Sequence, residues 1–73
     1  METLTAEIGM TAAGELVRVH VKPHSCYKDA SEVRLMRGHH LVVDVAYVHR
    51  DHVSGVVERL GTLGKTWCEG GRT

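Results

Sequence analysis

The chain has no phenylalanine, and its aromatic side chains are Tyr27, Tyr47 and Trp67 alone. A core must therefore be assembled from aliphatic side chains. Eleven valines tilt that core toward strands, because a branched Cβ suits a pleated surface better than a helix. Net charge is also missing: nine Lys and Arg balance nine Asp and Glu. The balance removes any global pull toward phosphate backbones or anionic membranes, and it lowers the self-repulsion that opposes association. Six histidines would carry the chain positive in mild acid. No apolar run approaches the ~20 residues of a membrane span, and Met1-Glu2-Thr3-Leu4 lacks the basic and apolar regions of a signal peptide. The expectation is a cytoplasmic protein in which Cys26 and Cys68 stay free thiols. No linker, repeat or low-complexity segment interrupts the 73 residues, which suffice for one small domain.

What is present reads as strands followed by a helix. Leu4, Ala6, Ile8 and Met10 alternate with Thr3, Thr5, Glu7 and Gly9, and Val17, Val19 and Val21 alternate with Arg18, His20 and Lys22. Each is the two-residue period of a half-buried strand, over 3–10 and 16–23, joined by a turn at Gly14. Pro23 ends the second strand or marks an edge. A polar loop from His24 to Ser31 leads to a third strand over 32–37, and Gly38-His39-His40 turns the chain back. The next stretch, Leu41 to Val48, is nearly continuous apolar and reads as a central strand with both sides buried. From Asp51, a plausible N-cap, Val53, Val56, Val57, Leu60 and Leu63 recur at helical spacing over 51–63. Gly64 suits the C′ position, and Gly55 would let the helix approach the sheet closely. Lys65–Glu69 reads as a fifth strand and 70–73 as a flexible tail. The expected fold is α+β, one domain in the order ββββαβ, a mainly antiparallel sheet with one helix on one face.

Chemistry-bearing motifs are scarce. His20, His24 and Cys26, with His39, His40, His49 and His52 elsewhere, are suitable zinc ligands, yet no pair has a finger or ribbon spacing. Cys26 or Cys68 with a histidine and Asp44 would supply the residue types of a nucleophilic site, but nothing in their spacing gathers them. No G-x-S-x-G, P-loop or G-x-G-x-x-G occurs. The reading is therefore non-enzymatic, with no cofactor and no resident metal.

Surfaces carry more. One helix can cover one side of the Leu41–Val48 strand, whereas Val42, Ala46 and Val48 face opposite Leu41, Val43, Val45 and Tyr47 under simple alternation. Val42, Asp44, Ala46 and Val48, with Trp67 on the short last strand, are the expected partner surface. The favoured reading is a self-associating protein-binding module, a homodimer that engages a larger protein as a small regulator or inhibitor would. The runner-up is a small nucleic-acid binder using Arg18, His20, Lys22 and Arg34, against which Glu7, Glu32 and Asp44 on the same face count. A histidine and cysteine metal protein comes third.

Overall fold

A computed structural model describes residues 3–70. The second and third strands carry the most uniform valine and leucine rows, and they occupy the middle of the sheet. β1 (Leu4–Met10), β2 (Leu16–Pro23), β3 (Ala30–Arg37) and β4 (His40–His49) form one antiparallel sheet in the order β1-β2-β3-β4. A single 3-10 turn at Arg50–His52 leads into one helix, α1 (Val53–Gly70). The α+β class with one helix on one face holds.

The core is the helix side of the sheet. Val17 and Val19 of β2 and Val33 and Leu35 of β3 are sealed there, with Val48 of β4 and Leu60 of α1. Removing each of the four sealed side chains from water contributes about 2 kcal/mol. Ile8, Val21, Val43, Val45, Val53, Val56, Val57, Trp67 and Cys68 pack around them.

Leu41–Val48 is not central. It belongs to β4, an edge strand with β3 as its one sheet neighbour. Its apolar character has a different cause: two irregularities break the alternation. Leu35 pairs with Val43 and Met36 with Leu41, leaving Val42 as an extra residue, and the register slips again between Val45 and Val48. A one-residue slip exchanges faces. Hence Val43, Val45 and Val48 all reach the helix side, and Val48 is 4% exposed, so it is not part of a partner surface. Val42, by contrast, is 40% exposed.

The fifth strand is absent: 65–69 continues α1. Gly64 is not a helix stop, since its φ is not positive. It is small because the helix touches the sheet there. A Cβ on Gly64 would sit 2.7 Å from Val17 Cγ1 and 3.3 Å from Leu35 Cδ1. The inward row therefore runs Val53, Val57, Leu60, Gly64, Trp67 and Cys68, helical spacing throughout, while Leu63 faces solvent. Gly55, expected to bring helix and sheet close, has open space where its Cβ would be. Trp67 thus lies on α1 against the core rather than on a strand. The cap also differs from expectation: His49 Nδ1 accepts the Asp51 amide at 3.2 Å, so the helical turn starts before Asp51. Of the expected tail, Gly70 ends α1, and 71–73 lie outside the described residues.

Two glycines make the hairpins. Gly14 (φ 83°) closes the β1–β2 turn, where its amide donates to the Thr11 carbonyl at 2.9 Å. Gly38 (φ 60°) is the first of two residues between Arg37 and His40, the position that a type II′ turn reserves for glycine.

Candidate interaction surface

The sheet has a second face that α1 does not touch, and strand register lays it out in rows. Met10 pairs with Leu16. The next row runs Glu7, Arg18, Met36, Leu41, and the one after it Thr5, His20, Arg34, Asp44. Lys22 then lies opposite Glu32. All four residues of the basic stripe, Arg18, His20, Lys22 and Arg34, therefore share this face, and so do the acids weighed against them.

The register sets a carboxylate beside each cation: Glu7 beside Arg18, Glu32 beside Lys22, Asp44 beside Arg34. Contact is made mostly at Arg34. Its Nη2 lies 3.2 Å from Glu32 Oε1 and its Nε lies 3.5 Å from Asp44 Oδ1. Arg18 turns toward the hairpin instead, where its Nη2 donates to the Gly38 carbonyl at 2.9 Å. Such partly exposed pairs contribute little stability, up to about 1 kcal/mol each. Their effect is on recognition: successive phosphates would meet acids as often as bases. Asp44 is thus a partner of Arg34 rather than a group free to orient a catalytic histidine.

Around this polar field lies an apolar rim. Met10 and Leu41 (49% exposed) stand at the hairpin end, with Val42 on the β4 edge. At the opposite end the β2–β3 loop folds His24 and Tyr27 against Tyr47 of β4. The His24 and Tyr27 rings are 5.0 Å apart, and Tyr27 and Tyr47 are 5.3 Å apart at 86°. This edge-to-face arrangement suits aromatic quadrupoles. Both tyrosines remain about half exposed, 57% and 51%. Sequence reading missed this cluster, because it depends on how the 24–29 loop closes: the His24 amide donates to the Ala30 carbonyl at 3.1 Å. Ala46 is exposed beside Tyr47. Trp67 lies on the other side of the molecule, its ring under the Arg37 guanidinium at 5.4 Å, and so offers no anchor here.

The remaining candidates stay apart. Among the described residues no three His, Cys, Asp or Glu side chains converge as a metal site would require. The rings of His49 and His52 approach to 6.2 Å, without a third ligand. Cys26 is exposed and free, and the nearby His24 Nδ1 accepts the Cys26 amide at 3.0 Å. The thiol of Cys68 donates to the Gly64 carbonyl at 3.5 Å. No helix among the described residues is long and apolar enough to cross a membrane. Set against known proteins, the chain matches no family model, no curated protein and no solved structure.

Proposed function

We propose that this chain is a small non-enzymatic binding module of the cytoplasm that self-associates and engages a larger protein. One observation carries the reading: a four-stranded sheet has its helix on one side only, and its other side is a charge-matched field rimmed by exposed Met10, Leu41, Val42, Tyr27 and Tyr47. A solvent-facing antiparallel sheet needs no such rim, and large exposed side chains gathered around one face favour association. The matched charges are compatible with a second copy of the same face, as a two-fold contact demands. They favour a protein over a nucleic acid, whose phosphates need an unopposed basic track. The surface differs from the sequence-based one in its membership: Met10, Tyr27, Leu41 and Tyr47 enter it, and Val48 and Trp67 leave it.

Light scattering tests the proposal. The wild-type chain should run at about twice its 8.1 kDa, and the double variant Leu41→Asp/Val42→Asp at the monomer mass with an unchanged circular dichroism spectrum. Leu4→Asp, on the far edge strand, should remain dimeric. A monomeric wild type, or a dimer that Leu4→Asp breaks and the double variant does not, removes this surface from the account.

A further inference from the structure

We propose that a depression in the helix-free face is the seat of a carboxylate, supplied by an acidic segment of the partner protein. This rests on that face being a partner surface. The depression has a volume of about 250 Å³, and Arg18, His20, Lys22 and Arg34 line it with Glu32 as the one acid. Its excess of cations is not used up internally. Glu32 is held by Arg34, and neither Arg18 nor Lys22 has a carboxylate oxygen within 4.0 Å among the described residues.

The donors point to the same conclusion. Nε of Arg18 and Nε2 of His20 are shielded from solvent and have no hydrogen-bond partner. Nε of Arg34 likewise makes no hydrogen bond, although Asp44 Oδ1 stands 3.5 Å away as its ion-pair partner. His20 lies directly opposite Arg34 and two residues from both Arg18 and Lys22. Its other ring nitrogen, Nδ1, has Thr5 Oγ1 at 3.5 Å. Shielded donors without acceptors are rare in folded proteins. An entering carboxylate would meet the exposed Lys22 ammonium and the partly exposed Arg34 guanidinium, in charge-assisted bonds.

The surroundings of the depression favour a protein carboxylate over a phosphate chain. Glu7 and Asp44 stand on its two sides in the neighbouring register positions, where the next phosphates of a strand would fall. No tyrosine or tryptophan ring lines it for base stacking.

The test is a titration of the 15N-labelled full chain with an end-capped hexaglutamate peptide, followed at the arginine Nε–H and His20 ring signals. Arg18, Arg34 and His20 should shift saturably, less so as salt rises, and hexaglutamine should leave them still. Lys22→Gln removes an exposed charge without touching the core. It should weaken binding several-fold, about fivefold for a partly exposed ion pair, and Arg18→Gln/Lys22→Gln more than that. Glu58→Gln, on the solvent side of α1, should bind as wild type does. A flat titration, equal affinity in Lys22→Gln, or the same signals shifting at lower concentrations of oligothymidylate would overturn the proposal, the last in favour of nucleic acid. Repeating the titration on Leu41→Asp/Val42→Asp separates the two readings. Binding by a chain that never self-associates keeps the seat and removes the dimer; a dimer indifferent to hexaglutamate does the reverse.

Discussion

Three glycines inside α1 look alike in the sequence, yet an added methyl group would meet a different neighbour at each. On Gly55 it meets nothing within 4 Å, on Gly61 it rests 3.5 Å from Ile8 Cδ1, and on Gly64 it presses to 2.7 Å from Val17 Cγ1. Alanine in a helix interior is favoured over glycine by about 1 kcal/mol. Gly55→Ala should therefore stabilise the chain by about 0.5–1 kcal/mol, and Gly61→Ala by a similar or smaller amount. At Gly64 the gain is outweighed, because Val17 is sealed in the core and cannot withdraw. Overpacking of that kind costs about 1–3 kcal/mol, so Gly64→Ala should be net destabilising. Urea unfolding of the three variants gives the signs. A stabilised Gly64→Ala would mean that α1 does not press on β2 at this point. Sequence reading reverses the roles of Gly55 and Gly64, since composition cannot say which side of a helix a glycine lies on until the whole inward row is known.

Among the elements, β2 and β3 are legible because their alternation is unbroken, and the hairpin turns because Gly14 and Gly38 stand where backbone angles require them. β4 misleads for a physical reason: Val42 is an extra residue, and the second slip before Val48 exchanges faces again. Continuous apolar sequence then mimics a doubly buried strand. The end of α1 misleads because Lys65-Thr66-Trp67-Cys68 also suits a strand by propensity, and only the row from Leu60 through Gly64 to Trp67 continues the helix. The aromatic cluster and the matched charges are long-range and follow from register, which one chain does not display in its composition. The contrast within β4 can be measured. Val48→Asp buries a carboxylate that has no partner in the core and should lower stability by about 3 kcal/mol or more. Val42→Asp, at the exposed extra residue, should stay within about 0.5 kcal/mol under dilute monomeric conditions. Equal losses in denaturant midpoint would show that the two valines share a face after all. Trp67→Ala belongs with Val48→Asp: it should cost about 2 kcal/mol of stability through lost packing and the Arg37 contact, with no change in association.

For the molecule as a whole, 73 residues support a stability of only about 4–11 kcal/mol, and the aliphatic core on one side of one sheet offers little reserve. Covering the second face would then act on folding as well as on recognition, because a partner that binds only the folded chain adds its binding free energy to stability. In a self-associating chain that partner is the protein itself, so melting should depend on protein concentration. A chain of this length has an unfolding entropy of about 0.15 kcal/mol/K. A folded dimer melting to unfolded monomers should therefore gain up to about 4 °C for each tenfold rise in concentration. Leu41→Asp/Val42→Asp should melt at one temperature across the same range, and below the wild type only where the wild type is concentrated. A wild-type melting temperature that does not move over two decades of concentration would mean that the charge-matched face stands complete in water. Met10, Leu41 and the two tyrosines would then be surface residues without an association role.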